Sequence, residues 1–261
     1  MENKILKFVQ WLKESKYTVI LTGAGMSTES GIPDFRSSDG LWKKVNPMEL
    51  ASIDSLIQNY DTFHKFYKMR LESLSGAKPH KGYDILAKWE ADGLIDSIVT
   101  QNVDDFHLAA GNKNVYHLHG SINKYRCSKC NNPADKNDFM DKIPCRKCNG
   151  SLRPGIVLFG EELPEKELYA SIDEIEKADL VIVIGTSLTV FPVSQLPDIA
   201  KGKKVYINKE IPDNSKFDLN FKETAGELLQ RIENLFCMTQ KDDLIRRKKT
   251  RSAGLPEKPD L

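Results

Sequence analysis

Polar residues that could move a proton or hold a nucleotide cluster in two short stretches of the sequence. The first follows a β-branched segment that ends at Thr100 and comprises Gln101, Asn102, Val103 and Asp104. The second contains His117 and His119, whose side chains point to the same side if the chain is extended. A histidine suits general acid–base catalysis because its ordinary pKa lies near neutrality, although most histidines are only satisfied polar residues. The polar run beside these two favours catalysis.

A glycine-rich turn is a candidate phosphate site. Residues 18–21 form a short β-rich segment, and Gly23 and Gly25 follow it closely. Glycine lets a ligand approach the main chain, and the amides at the start of the next helix suit a pyrophosphate. The Gly-x-Gly-x5-Gly spacing, which ends at Gly31, differs from the usual dinucleotide motif, so a plain tight turn is the alternative. Two later strand ends carry small or polar residues, namely Gly185, Thr186, Ser187 and Asn208.

Four of the five cysteines form a metal-ligand pattern. Cys127 and Cys130 make one CxxC pair, and Cys145 and Cys148 make a second. This spacing predicts a structural zinc ribbon with four thiolate ligands. Two disulfides are one alternative, although they are rare in a cytosolic chain, and a redox or iron site is another. Cys237 is expected to be a small apolar residue near a C-terminal helix.

Short β-branched segments alternate with helical segments through most of the chain. The predicted strands are residues 18–21, 97–100, 179–184 and 204–207, and the predicted helices are residues 54–73, 80–92, 164–177 and 224–234. This alternation predicts an α/β fold with a doubly wound, Rossmann-like parallel sheet. The predicted large domain comprises residues 1–36, 79–121 and 154–238, and residues 37–78 and 122–153 would form a smaller inserted zinc-ribbon and helical module.

The composition indicates a globular protein without a strong overall electrostatic field. The 261 residues include 38 basic and 37 acidic side chains, so the net charge is +1, which argues against nucleic acid as a partner. The charged N-terminus is unlike a signal peptide, and no segment reaches the roughly 18 apolar residues of a membrane span. A cytoplasmic location is therefore expected. Residues 239–261 are polar and are expected to form a disordered tail, or alternatively a basic anchor for an acidic partner.

Taken together, the motifs resemble those of the sirtuins, the Sir2 family of NAD-dependent protein deacylases. They occur in the family order and lie between residues 17 and 226. The matching motifs are Gly23-Ala24-Gly25-Met26-Ser27, Gly31-Ile32-Pro33-Asp34-Phe35-Arg36, Gln101-Asn102-Val103-Asp104, His119-Gly120-Ser121, the four paired cysteines, Phe159-Gly160-Glu161 and Gly185-Thr186-Ser187. Each motif alone is modest, whereas the ordered set is specific.

The resemblance implies a site for NAD. The residues that it implies for this site are Gly23, Ala24, Gly25, Ser27, Asp34, Phe35, Arg36, Gln101, Asn102, Val103, Asp104, Gly185, Thr186, Ser187, Asn208, Lys209, Glu210 and Ala225. The glycine turn would cradle the pyrophosphate. Phe35 would cover the nicotinamide pocket, and Asp104 would bind the nicotinamide carboxamide. Ser187, Asn208 and Glu210 would bind the adenosine half.

The resemblance also implies the removal of acyl groups from protein lysines. His119 would be the general base on the ribose hydroxyls, Asn102 would orient the ribose and a bound water, and the products would be free lysine, nicotinamide and O-acyl-ADP-ribose. The substrate peptide would add a strand beside residues 155–160, for which an ordinary buried strand is the alternative. The substrate-binding residues of that segment would be Val157, Phe159 and Gly160. Four thiolates leave zinc no open position, so one structural Zn²⁺ is implied.

Three further residues bear on which acyl group is accepted. Ala51, Tyr67 and Arg70 resemble the trio that admits succinyl and malonyl groups in one sirtuin class. Arg70 would pair with the distal carboxylate, Tyr67 would donate a hydrogen bond to it, and Ala51 would leave room. The alternative is a helix face on which Tyr67 packs and Arg70 is solvated. Asp34, next to Phe35, resembles the residue that ordinary deacetylases have at this position. Deacetylation is therefore expected in either case.

Three other functions compete with this interpretation. Protein mono-ADP-ribosylation would use the same NAD site with a different acceptor, but the presence of His119 argues against it. A non-enzymatic NAD sensor or a zinc-ribbon nucleic-acid binder would not need the complete catalytic set. An NAD-dependent dehydrogenase is disfavoured by the glycine spacing. A monomer is the favoured oligomeric state.

Overall fold

The structure is a computed structural model that describes residues 2–35, 40, 43 and 46–252, with the backbone alone for residues 239–252. The strands are β1 (Thr18–Thr22), β2 (Ser97–Thr100), β3 (Val115–His117), β4 (Gly120–Cys127), β5 (Pro133–Ala134), β6 (Leu152–Ile156), β7 (Leu180–Ile184), β8 (Lys203–Asn208) and β9 (Leu219–Lys222). The α-helices are α1 (Glu2–Glu14), α2 (Pro47–Leu50), α3 (Ile53–Gln58), α4 (Tyr60–Leu74), α5 (Lys81–Ala91), α6 (Phe106–Ala110), α7 (Lys136–Met140), α8 (Glu165–Lys177), α9 (Leu196–Ile199) and α10 (Ala225–Ser252). A 3-10 helix, Ala24–Ser30, follows β1.

Six parallel strands form the main sheet in the order β3-β2-β1-β7-β8-β9. Its central strands are apolar and buried along their whole length, which is typical of a parallel sheet that is covered on both faces. Ile20 of β1 packs into one hydrophobic layer with α1, α5 and α10. Its neighbours Val19 and Leu21 pack into the opposite layer with α8 and α9. The predicted doubly wound parallel sheet is confirmed.

A second sheet has three antiparallel strands in the order β5-β4-β6. With α2, α3, α4 and α7 it forms what we call the small module, residues 47–74 and 120–156, around a separate hydrophobic cluster. The predicted domain boundaries at residues 122 and 154 fall inside β4 and β6. Because Gly120 is in register with Ile156, these predicted boundaries cut through one ladder, and the division into domains stays a prediction.

The helix predicted over residues 54–73 is two helices in the structure. Asn59 separates α3 from α4 and has φ −141° and ψ 57°, which are not helical angles. Asparagine favours such positions because its side chain competes for main-chain hydrogen bonds. The N-terminus of α3 is capped by Ser52, whose Oγ accepts a hydrogen bond from the amide of Ser55 at 3.1 Å.

The C-terminal tail was predicted to begin at residue 239, but the backbone of α10 continues as a helix to Ser252. The physical reason lies in the composition, because residues 239–252 are rich in Lys and Arg and contain neither glycine nor proline. Residues 253–261 lie outside the described residues. None of the described helices is both long and apolar enough to cross a membrane.

Candidate functional site

A cavity of about 880 Å³ opens at the carboxyl edge of the main sheet, where the strand order reverses between β1 and β7. The predicted NAD and substrate residues that border it are Ala24, Gly25, Asp34, Phe35, Ala51, Tyr67, Arg70, Gln101, Asn102, Val103, His119, Val157, Phe159, Gly160, Gly185, Thr186, Ser187, Asn208, Lys209, Glu210 and Ala225. Gly23, Ser27 and Asp104 do not border the cavity. Arg36 lies outside the described residues.

The glycine turn and the end of β7 meet main chain to main chain. The amide of Gly25 donates to the carbonyl of Gly185 at 2.7 Å, and the amide of Gly23 donates to the carbonyl of Ile184 at 3.0 Å. A Cβ on Gly25 would lie 2.8 Å from Gly185 Cα, and one on Gly23 would lie 2.6 Å from Thr186 Cβ. Both positions therefore require glycine for close contact between the two loops, and Gly25 also borders the cavity.

His119 is held by the chain that follows β2. Its Nδ1 lies 3.0 Å from the carbonyl oxygen of Gln101. A carbonyl only accepts, so Nδ1 carries the hydrogen, and in the neutral ring Nε2 is the basic nitrogen. His117 ends β3 and does not border the cavity, so the two histidines separate. The expectation that both side chains share one side does not apply, since the extended strand stops at His117.

Asn102 is held at two points. Its main-chain amide donates to Thr100 Oγ1 at 3.0 Å, and its side-chain Nδ2 donates to Ser27 Oγ at 3.1 Å. The side chain is only 7 % exposed. Gln101, next to it, donates from Nε2 to Thr186 Oγ1 at 2.9 Å and so connects the ends of β2 and β7. The polar residues at this sheet edge are therefore fixed before any ligand binds.

Asp104 and Ser27 lie under the cavity rather than on its surface. Ser27 Oγ donates to Asp104 Oδ2 at 2.6 Å, and the amide of Phe106 donates to Asp104 Oδ1 at 3.0 Å. Burial raises the pKa of Asp104, while these two hydrogen bonds act in the opposite direction. Both carboxylate oxygens are thus engaged inside the protein, and direct contact with a nicotinamide carboxamide stays a prediction.

The opposite end of the cavity is formed by the ends of β7 and β8. Tyr206 donates from its hydroxyl to the carbonyl of Thr186 at 2.6 Å, and Asn208 Nδ2 lies 3.1 Å from the Tyr206 hydroxyl. Asn208 Nδ2 also donates to the carbonyl of Glu210 at 3.0 Å. These contacts hold the loop after β8 beside Ser187, which suits the predicted adenosine half.

Ala51, Tyr67 and Arg70 meet at the side of the cavity that belongs to the small module. Tyr67 is 3 % exposed and packs against Phe63, with ring centroids 4.6 Å apart. Arg70 Cζ lies 5.0 Å from the centroid of the Phe35 ring, and the guanidinium has no hydrogen bond or ion pair with any described residue. Burial lowers the pKa of Arg70. A half-buried guanidinium at a cavity wall, with no ion pair among the described residues, favours an anionic ligand.

The segment after β6 contributes the predicted peptide-binding residues. The amide of Val157 donates to the carbonyl of His119 at 2.9 Å, and the amide of Phe159 donates to the carbonyl of Ala51 at 2.9 Å. The carbonyl of Phe159 accepts from the amide of Ile53 at 3.1 Å. A peptide could therefore pair only with the remaining main-chain groups of this segment, which include those of Gly160. The segment also joins His119 to the small module.

The four paired cysteines converge in the small module. Their sulfur atoms all lie within 4.8 Å of one another. The Cys127 and Cys148 sulfurs are 3.5 Å apart, and those of Cys130 and Cys145 are 3.7 Å apart. Tetrahedral Zn–S bonds of about 2.3 Å place the sulfurs about 3.8 Å apart, so the residues present fit one structural Zn²⁺. All four positions would be protein ligands, which leaves the metal no part in the chemistry.

Sequence reasoning missed several residues at the site, among them the following. Tyr83 of α5 is fully buried, and its hydroxyl lies 2.7 Å from Ser27 Oγ. It occupies an apolar face of an amphipathic helix, where the sequence gives no signal for a polar role. Thr28 and Phe66 border the cavity as well, and they belong to segments whose other members were predicted.

The fold and the cavity define a class, namely α/β proteins with a ligand cleft at the switch point of a parallel sheet and an attached cysteine-rich module. A model of the Sir2 family matches residues 23–192, and the chain belongs to this family. An NAD-dependent protein deacetylase of Oceanobacillus iheyensis is 47% identical over 230 residues, which cover 86% of this chain and 98% of the relative.

Other relatives and solved structures agree. NAD-dependent protein deacylase 1 of Archaeoglobus fulgidus is 42% identical over 240 residues, 89% of this chain and 96% of the relative. A solved Sir2 variant with a deacetylated p53 peptide and 3′-O-acetyl-ADP-ribose has a TM-score of 0.84 at 37% identity, with 88% of this chain and 97% of that chain covered. A Sir2 homologue bound to ADP-ribose has a TM-score of 0.85 at 38% identity and covers 90% and 97%. The resemblance to the sirtuins is confirmed.

Proposed function

We propose that this protein uses NAD to remove acyl groups from lysine side chains of proteins, with nicotinamide and O-acyl-ADP-ribose as the other products. The observation that carries the proposal is the 3.0 Å hydrogen bond between His119 Nδ1 and the Gln101 carbonyl at the cavity. It supports a histidine whose Nε2 is the proton-accepting nitrogen of the neutral ring. The relatives named as NAD-dependent deacetylases and deacylases support the same chemistry.

Different residues of this chain would have different roles in the reaction. NAD supplies the ribose carbon that accepts the acyl oxygen when nicotinamide leaves. The main chain of the glycine turn would hold the pyrophosphate, as helix starts and glycine loops do in other nucleotide sites. Asn102 would orient the ribose, and His119 would take a proton from a ribose hydroxyl. Phe35, which borders the cavity, would exclude water from the reacting carbon.

We further propose that the acyl pocket accepts acidic acyl groups, such as succinyl and malonyl, in addition to acetyl. Arg70 supports this because it is half-buried and has no ion pair with any described residue. A distal carboxylate would satisfy the guanidinium, and Tyr67 would donate a second hydrogen bond. Ala51 at the same wall leaves room for the longer chain. The packing of Tyr67 on Phe63 fits this role, since it fixes the ring.

The binding partners, the oligomeric state and the cellular location are proposals as well. Acyl-lysine proteins or peptides are the proposed partners, with the peptide pairing beside Gly160. The protein is proposed to act as a monomer in the cytoplasm. Size-exclusion chromatography with light scattering tests the proposed monomeric state, and the mass of a dimer would contradict it.

The test of the proposed function is mass spectrometry of matched acetyl-lysine and succinyl-lysine peptides incubated with the protein and NAD. Acyl loss that requires NAD and yields O-acyl-ADP-ribose is expected. The His119→Ala variant should process neither peptide. Release of nicotinamide without acyl loss would instead favour ADP-ribosyl transfer or NAD hydrolysis.

A further inference from the structure

The hydrogen bonds around Ser27 have only one consistent direction. Its Oγ donates to Asp104 Oδ2 at 2.6 Å, accepts from Asn102 Nδ2 at 3.1 Å, and lies 2.7 Å from the hydroxyl oxygen of Tyr83. A serine hydroxyl has one proton and two lone pairs. Because its proton goes to Asp104, Tyr83 must be a donor. Ser27 is then fully satisfied, by one donated and two accepted hydrogen bonds.

This arrangement decides how the Asn102 side chain is turned. An asparagine amide has a donor end and an acceptor end of nearly the same shape, and only its partners distinguish them. Here Nδ2 is bound to Ser27, so Oδ1 lies on the other side of an amide that borders the cavity. Oδ1 is the atom that can accept a hydrogen bond from a ribose hydroxyl or a water. The hydroxyl of Tyr83 fills the remaining lone pair of Ser27, and so keeps that serine from turning.

The surroundings of Tyr83 keep its hydroxyl group a hydrogen-bond donor. Tyr83 is fully buried on α5 and does not border the cavity. Burial raises its pKa, so the phenol keeps its proton at neutral pH. The ring is fixed by edge contacts with His107 and Phe106, whose centroids lie 4.7 Å and 5.6 Å away.

We propose that Tyr83 is a positioning residue for the reaction, and that it acts through Ser27 on the orientation of Asn102 and on Asp104. The inference rests on the proposed deacylase function, which it deepens. It assigns a role to a tyrosine that lies outside the lining of the cavity.

The first test compares Tyr83→Phe with Tyr125→Phe. Tyr125 is a matched control because it is also buried and its hydroxyl has no hydrogen-bond partner among the described residues. Tyr83→Phe should lower kcat about tenfold, with KM for peptide and for NAD unchanged within about twofold. Tyr125→Phe should leave kcat unchanged. A Tyr83→Phe variant with wild-type kcat, or with a loss explained by its unfolded fraction, would overturn the proposal.

A double-mutant cycle tests the route through Ser27. If Tyr83 acts only through that hydroxyl, Tyr83→Phe should have no further effect on kcat in a Ser27→Ala background. Two effects that multiply would mean that Tyr83 acts by another route, and the proposal would be wrong.

A third measurement does not depend on turnover. The side-chain amide resonances of Asn102, assigned by their loss in Asn102→Asp, should shift in a ¹⁵N correlation spectrum of Tyr83→Phe and not in that of Tyr125→Phe. Unshifted resonances in Tyr83→Phe would contradict the proposal even if kcat fell. A wild-type protein without NAD-dependent acyl loss would reject the proposed function instead, and the spectrum would still decide whether Tyr83 orients Asn102.

Discussion

The two sides of the cavity are built in different ways. On the sheet side, main-chain contacts and buried hydrogen bonds fix the polar residues, as in the contact of Gly25 with Gly185 and the two hydrogen bonds of Asn102. On the side of the small module, Tyr67 and Arg70 come from one helix, and Arg70 has no polar partner among the described residues. The difference fits our proposal that the sheet side carries the reaction, whereas the small module selects the acyl group.

Removal of zinc should have the largest effect, because it should unfold the small-module side and leave the sheet side folded. Structural zinc contributes about 10 kcal/mol to the folding of small zinc modules, and the small module has only a limited hydrophobic cluster of its own. A chelator should therefore remove hydrogen-exchange protection from β4 and β6, while β1 and β7 stay protected. Activity should be lost at the same time, because Ala51 and the segment after β6 would lose their positions.

The control for the zinc experiment is the lone cysteine. Cys237→Ser should retain one zinc per chain and full activity, because Cys237 lies in α10, away from the other four. Equal protection of β4 before and after metal removal would show that the small module does not depend on zinc.

Substitution of His119 should abolish the reaction on the sheet side without affecting the side that the small module forms. Loss of a general base costs about 10²–10⁴-fold in rate, so His119→Ala should lose both acetyl and succinyl activity to that extent. Calorimetry should find the affinity for ADP-ribose unchanged. A variant that lost one acyl activity and kept the other would contradict the division between the two sides.

Substitution of Arg70 should have the converse, smaller effect. A buried hydrogen bond to a charged group contributes about 1.5–3 kcal/mol, so Arg70→Met should lower kcat/KM for a succinyl peptide about 10–100-fold. The acetyl peptide should change less than about threefold, since it has no distal carboxylate. Lys65→Met, at an exposed position of the same helix, is the matched control. Equal losses with both peptides would assign Arg70 a structural role.

The smallest effect concerns His107, which lies beneath the sheet side. Burial lowers the pKa of His107 from 6.5 to about 3, so this ring is neutral in the folded protein. The unfolded chain takes up a proton below about pH 6.5. The stability from this group is therefore present above that pH and falls by about 2 kcal/mol between pH 7 and pH 5.

Urea denaturation at the two pH values measures this change for the wild type and for His107→Gln. The variant should lose less stability on acidification than the wild type by about the same 2 kcal/mol. The same pH dependence in both proteins would mean that His107 is not the group responsible.

The sequence predicted the parts of this structure that depend on strong local patterns. The central strands and the cysteine pairs were found because apolar β-branched runs and CxxC spacings are unambiguous. The edge strands β3 and β9 were missed, since Val115–His117 has only partly buried residues and Leu219–Lys222 alternates. The cavity residues were found through the family resemblance, whereas the structure shows which of them it brings to the surface of one cavity.

What the sequence could not predict was the layer beneath the cavity. Ser27 and Asp104 hydrogen-bond to each other below the cavity, which no sequence pattern indicated, and their predicted contact with the ligand stays a prediction. Tyr83 was not singled out at all, because its partner is 56 residues away in the chain and nothing in its own helix marks it. Such contacts depend on how three separate segments pack, which local pattern does not encode.

The contact between Gly25 and Gly185 has a consequence for engineering. Each glycine takes up the space that a Cβ on the other would need, so neither can be varied alone without displacing a main chain. A library that seeks new acyl selectivity should keep both codons constant and diversify Ala51, Phe66 and Tyr67 instead, which border the cavity. The two loops would then serve as the invariant frame on which every member of the library is selected.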